Sequence, residues 1–245
     1  MQRSSIIRAA RGVLPLAWGV LAALATTTNG EKQDPATPRL NSVRLEALRE
    51  TMRDNLGYCE EWLDGQDHES LEETTGALLI LTEAMARKND SSDWKTQTTR
   101  LADQVNVLKQ AAHDKKSKES RAAAASLRKT VDGLKFPAAL AKPVPGTKPG
   151  GFKAMMQLLD GVYGEAKRAV LFGETEKVKT NARALAELLP LVKPYRADAR
   201  WSERADATLA AAEAVIDSKL DDPKKLKAVL LVVGKRCDAC HKNKK

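Results

Sequence analysis

Leu45, Leu48, Met52, Leu56, Cys59 and Leu63 follow one another at steps of three or four residues. That spacing gathers apolar side chains on one face of an α-helix. It returns along almost the whole chain. Leu71, Leu78, Leu81 and Met85 mark a second helix over about residues 68–87, and Trp94, Leu101, Val105 and Leu108 a third over about 93–113. Leu127 and Val131 mark a fourth over about 117–134. Period-two alternation is almost absent, and aromatic residues make up only 4% of the chain, which argues against a sheet core.

Residues 136–150 interrupt this pattern with four prolines and read as a linker. The helical spacing then restarts. Phe152, Met156, Leu159, Tyr163, Ala166 and Val170 form one stripe that ends at Gly173. A second helix is expected over Val178–Val192 and a third over Trp201–Lys219. Asp222 and Pro223 offer an N-cap and a first-turn proline for a last helix through Leu226, Val229, Leu230 and Val233. An offset of 107–108 residues lays Gly65 on Gly173 and Trp94 on Trp201. The expected architecture is all-α: two tandem antiparallel four-helix bundles, over 40–135 and 151–245. Gly65 is expected to close the first helix.

The last expected helix ends in Cys237-Asp238-Ala239-Cys240-His241. C-x-x-C-H is the attachment signature of a c-type haem. Two thiols add to the two vinyl groups, and the adjacent imidazole ligates the iron. On a helix, positions 237, 240 and 241 share one side. A thioredoxin-like redox pair, half of a zinc site, or a disulfide also suits C-x-x-C. A redox pair would open a helix after a strand, and a zinc site asks for about four ligands, whereas no second C-x-x-C or H-x-x-x-H is present. At the corresponding place the first half has Thr130-Val131-Asp132-Gly133-Leu134, with neither thiol nor imidazole. Cys59 reads as a small buried apolar residue or an intermolecular disulfide, and His68 and His113 as solvated surface residues.

At the other end, Arg3, Arg8 and Arg11 precede the apolar run Gly12–Ala25, which closes on Ala23-Leu24-Ala25. This reads as a cleavable secretory signal peptide over 1–25, followed by a polar, flexible leader over 26–39. The apolar run is short for a stable membrane span. Haem of the c type is attached outside the cytoplasmic membrane, so both ends point to a periplasmic protein. Net charge is +9, with 41 basic residues mixed among 32 acidic ones and no basic block interleaved with aromatics, which argues against nucleic acid as a partner. No nucleophile elbow, Gly-rich phosphate loop or H-E-x-x-H is present, so no enzyme activity is expected.

A four-helix pattern ending in C-x-x-C-H resembles the class II cytochromes c, the cytochrome c′ family and its low-spin relatives. The likeness covers about Gly151–Lys245. It rests on the terminal motif, the helix ended by Gly173, the Ala-Leu-rich run Ala182–Leu188, and Trp201 near the start of the third helix. The resemblance implies one covalent haem c, with Cys237 and Cys240 as thioether positions and His241 as the proximal ligand. Gly234, one turn earlier, would let the haem approach the helix backbone. The family's distal face looks at the first helix of the bundle, where Met156 is the candidate sixth ligand and Leu159 the alternative apolar lid. A Met there implies electron transfer with a redox partner protein; an apolar lid implies an open iron that binds NO or CO. The tail Lys242-Asn243-Lys244-Lys245 departs from the family's aromatic-then-Arg ending. A different class stays open, a secreted helical scaffold with a C-x-x-C disulfide or metal clip. The haem-less half points to docking, onto a second copy of the chain or another protein.

Overall fold

The computed structural model describes residues 37–137, 150–219 and 222–241. The expected signal peptide, most of the leader, the middle of the linker and the basic tail lie outside the described residues. Among those described there are eight α-helices and no strand. They are α1 Thr37–Asp64, α2 His68–Ala86, α3 Ser92–His113, α4 Ser117–Asp132, α5 Phe152–Leu171, α6 Thr175–Leu188, α7 Ala199–Asp217 and α8 Pro223–His241. The fold class is therefore all-α. α1 begins at Thr37, inside the stretch read as leader.

The helix expected over Val178–Val192 is two elements. α6 ends at Leu188, and a 3₁₀ helix continues over Leu189–Tyr195. Pro190 and Pro194 explain the change, since each lacks an N–H and crowds the carbonyl four residues back. The apolar stripe survives the tightening, with Leu189, Leu191 and Val192 all buried.

In the first half, α1 packs on α2 and α4, and α3 packs on the same two helices. In the second, α5 packs on α6 and α8, and α7 packs on those two. The halves meet where α1 lies against α6 and α2 against α5. The residues the periodicity selects form the core. Leu48, Met52, Leu56, Leu81, Met85 and Leu108 are fully buried, and one apolar cluster runs from them through Met155, Leu185 and Leu230.

Local geometry repeats at an offset of 107 residues. Trp94 Nε1 donates to the carbonyl of Met85, and Trp201 Nε1 to that of Val192, each at 2.9 Å. After α1, the N–H groups of Gly65, Gln66 and Asp67 donate to the carbonyls of Glu61, Leu63 and Trp62. After α5, Phe172, Gly173 and Glu174 donate in the same way to Arg168, Val170 and Ala169. Gln66, at φ 56°, thus stands where Gly173 has φ 73°. Gly65 aligns with Phe172, one residue from the alignment expected on glycine identity. The left-handed position closes the turn, and in the first half a glutamine takes it at a steric cost of roughly 1 kcal/mol.

Candidate functional site

α8 presents Leu226, Leu230 and Val233 to the core at steps of four and three residues, all at most 2% exposed. Cys237 is the next position on that stripe. It is half-buried and packs against the apolar cluster. The helical backbone continues unbroken through Cys240 and His241, so positions 237, 240 and 241 fall within about one turn. The side chains of Cys240 and His241 lie outside the described residues.

Cys237 opens onto a cleft shared with α5, the 3₁₀ helix and α7. Met156 and Leu159 line it from α5, Leu189 and Val192 from the 3₁₀ helix, and Trp201 from α7. The structure thus brings Cys237 and Met156 to one place. Met155 points elsewhere and is fully buried. The cleft has almost no unmet polarity. Thr208 spends its hydroxyl on the carbonyl of Arg204 at 2.8 Å, Trp201 spends its N–H on Val192, and the only carboxylate, Asp160, is exposed. Leu189, Val192 and Trp201 escaped the sequence reading as cleft walls. Trp201 stood out as a repeat marker and as part of the family resemblance, and Leu189 and Val192 only as helix core.

A thiol at the rim of an apolar cleft, with a thioether side chain on the facing helix, sets a nucleophilic sulfur opposite a soft sulfur donor. As packed, the cleft measures about 40 Å³, the space of a small side chain. The seam between α5 and α8 that bounds it is the sparsest of the four in the second half.

The first half seals the corresponding place. Arg49 stands at the offset position of Met156, and its guanidinium lies 4.7 Å from the ring centroid of Phe136. Phe136 in turn meets Trp94 edge-on at 6.1 Å. Leu101, at the place of Thr208, is fully buried. α4 ends at Asp132, whereas α8 runs on through the Cys-His motif. An arginine and a phenylalanine occupy what in the second half is a cleft.

Gly234 has a different neighbour from the cleft. A Cβ built there would come within 2.8 Å of Tyr163 Cζ on α5. Tyr163 lies across the backbone of α8, with Lys167 Nζ 4.9 Å from its ring centroid. The close approach that Gly234 permits is thus made by a tyrosine. In Gly234→Ala we expect a loss of about 1 kcal/mol, from the clash against a small gain in helix propensity. In a Tyr163→Ala background the same change is expected to stabilise by about 0.5–1 kcal/mol. Equal effects in both backgrounds, measured by urea unfolding, would show that Tyr163 does not require the glycine.

Cys59 is fully buried among Leu56, Leu63 and their neighbours, and burial pushes its thiol up to about 12. It is a core residue, inaccessible to an intermolecular disulfide. His113 is exposed, with Nδ1 3.3 Å from Glu72. His68, expected on the surface, is half-buried. Its Nε2 lies 3.1 Å from Ser117 Oγ, which ties α2 to α4. Among the described residues no group of three His, Cys, Asp or Glu is placed to hold a metal ion, and no helix is long and apolar enough to cross a membrane. Compared with known proteins, the chain matches no family model, no curated protein and no solved structure.

Proposed function

We propose that this chain is a periplasmic monohaem c-type cytochrome that acts in electron transfer. The observation that carries the reading is the meeting of Cys237 with Met156 and Leu159 in one apolar cleft, on the helix whose end spells C-x-x-C-H. The helix contacts in each half support the finer architecture of two tandem four-helix bundles, and the first half lacks the C-x-x-C-H residues at the corresponding place. The repeated tryptophan bonds and helix ends support an internal duplication.

When bound, the haem supplies a reversible one-electron change at its iron. The rest falls to the chain. Cys237 and Cys240 would hold the ring's edge to α8, and His241 would give a nitrogen to the iron. Leu189, Val192 and Trp201 keep water away, which favours a small change in solvation as charge comes and goes. Met156 on α5 would offer a thioether to the iron and close the site to outside ligands. The excess of basic over acidic residues suits docking onto an acidic redox partner.

Leu159 lines the same cleft and supports the second reading. If it faces the metal in place of Met156, the site stays open to NO or CO. The test is the absorption spectrum of the mature protein, made in a host that attaches haem c and reduced with and without CO. A low-spin spectrum unchanged by CO is the expected result. A high-spin spectrum that shifts with CO would replace electron transfer by gas binding. An absence of haem bands would leave the scaffold with a C-x-x-C clip.

A further inference from the structure

An open groove of about 190 Å³ lies between the end of α5 and the start of α8. Val170 and Leu171 line it from α5 and Leu230 and Leu231 from α8, and Lys167 and Lys227 carry its only charges. It shares no lining residue with the cleft at Cys237, so what it binds does not depend on haem. Leu171 is 76% exposed and the adjoining Phe172 72%, and Leu231 and Val232 are exposed as well. Four of the six large apolar side chains exposed among the described residues thus stand in this groove or one residue from it. Such clustering marks a surface that meets something apolar.

The first half shows what the groove has lost. At the offset of 107 residues, Glu60, Asp64 and Arg128 stand where Lys167, Leu171 and Lys235 stand in the second half. There the seam between α1 and α4 is clasped by ion pairs: Arg121 reaches Asp64 at 2.8 Å, and Arg128 reaches Glu60 at 2.9 Å. In the second half both acids are gone, and Ala228 takes the place of Arg121. The cations remain. α8 has five basic residues and no acidic one between Pro223 and Cys237. Lys167 and Lys227 form no ion pair with a described residue; Lys167 lies over the ring of Tyr163. Glu174 and Glu176 share the start of α6 with Lys177 and Lys179, so that turn adds no net charge. The counter-charge that the first half carries within itself is left, in the second, to come from outside.

The occupant is therefore both apolar and anionic. A second copy of the chain does not qualify, because pairing on this face about a twofold axis sets lysines against the same lysines. A partner protein is fixed by directional bonds at set places, and the polar groups of this lining are two flexible ammonium groups and a phenol laid across α8. Lipid asks for no register. Exposed Leu and Phe at a helix end, a tyrosine, and lysines whose stems run along apolar surface are the residue types of a bilayer interface.

We propose that this face docks the protein onto an anionic lipid bilayer, with Leu171, Phe172 and Leu231 entering the acyl boundary and Lys167 and Lys227 meeting lipid phosphates. The two halves then differ in purpose at the same seam: one is closed by its own ion pairs, the other by the membrane surface.

Flotation of the mature chain with vesicles tests this. Vesicles of phosphatidylcholine with about one-third phosphatidylglycerol are compared with vesicles of phosphatidylcholine alone. Binding to the anionic vesicles that weakens with salt, and none to the neutral ones, is the expected result. Leu171→Ser with Phe172→Ser leaves the charge unchanged, and both side chains are exposed, so the fold persists and bilayer binding is expected to fall about tenfold. Lys167→Gln with Lys227→Gln is expected to lower it by a similar factor. Val107→Ser, at an exposed apolar residue of α3, is expected to change nothing. A folded Leu171→Ser, Phe172→Ser chain that binds as the parent does would overturn the assignment and leave the basic tail as the source of attraction. Equal binding to neutral vesicles would overturn it too, and so would an absence of binding to anionic ones, which would leave an acidic protein as the occupant.

Discussion

Glu187→Gln is expected to lower the unfolding free energy by about 3 kcal/mol. For a chain of this size that is a fall of roughly 6–12 °C in melting temperature. Glu187 sits in α6 at 3% side-chain exposure, among Leu185, Ala186 and Leu188. Arg44 of α1 reaches it at 2.9 Å, and Lys88, just past α2, contacts its other oxygen. Arg44 also bonds Glu213 of α7 at 2.9 Å. This buried carboxylate thus joins helices of both halves through two cations. Neutralising it leaves Arg44 and Lys88 close together, half-buried and without their shared counter-charge. Removing one member of such a group costs far more than replacing all of it with apolar residues. The triple variant Arg44→Met, Lys88→Met, Glu187→Met is therefore expected near the parent stability. Glu213, at 31% exposure, is in part solvated, and Glu213→Gln is expected to cost less than about 1 kcal/mol. Thermal unfolding of the three variants checks the ordering. Equal losses for Glu187→Gln and Glu213→Gln would mean that burial at the seam is not the source of the effect.

That seam marks the limit of what the sequence makes legible. Helical stripes are readable because each buries one apolar face, and Leu45, Leu48, Met52, Leu56, Cys59 and Leu63 are all at most 2% exposed. α1 has a second, half-buried face, however, and it is polar. Arg44, Asp54 and Tyr58 look like a solvated surface on any hydrophobic pattern, yet they meet Glu187, a cleft between the halves and Glu165. Polar partners are specified by three-dimensional pairing, which a periodic pattern does not encode. Two local signals do exist. Glu187 interrupts the run Ala184-Leu185-Ala186-Glu187-Leu188-Leu189, and Asn181 falls on the stripe of Val178, Ala182 and Leu185. A charged or amide side chain on a buried stripe has to find a partner. The misplaced alignment of Gly65 has a similar origin. Glycine identity stood for the left-handed turn, but the turn falls one residue later, on Gln66.

The candidate site stands out in the sequence by its motif, and its surroundings do so only in part. Cys237, Cys240 and His241 stand out by spacing alone, the spacing that thioether formation and iron ligation would require in the proposed reading. Met156 was separable from Met155 because the two fall on different faces of α5, one in the cleft and one fully buried. The role of Gly234 was not legible. A glycine in a helix marks a close approach without naming what approaches, and here Tyr163 does.

The largest effect is expected from the thiols. In a host that attaches haem c, the mature parent chain should gain the mass of one haem that survives denaturation. Cys237→Ala and Cys240→Ala together should abolish that gain, since no other described thiol is accessible: Cys59 is fully buried in the other half. Each single variant should retain a haem with one thioether and one unreacted vinyl group. That vinyl group extends the conjugation, so the denatured, reduced haem should absorb at longer wavelength than in the parent. His241→Ala should keep the covalent mass and lose the proximal nitrogen, which separates attachment from ligation. The alanine changes cost the fold little by themselves, because Cys237 is only half-buried at the rim of its cleft. Circular dichroism of the double variant should therefore remain helical. The controls also discriminate among the three readings of C-x-x-C. A disulfide clip would add no mass and would be cleaved by reductant. A metal clip would lose its ion to a chelator, which leaves a thioether-bound haem in place. A helical double variant that still gains the mass of haem would exclude Cys237 and Cys240 as the attachment points.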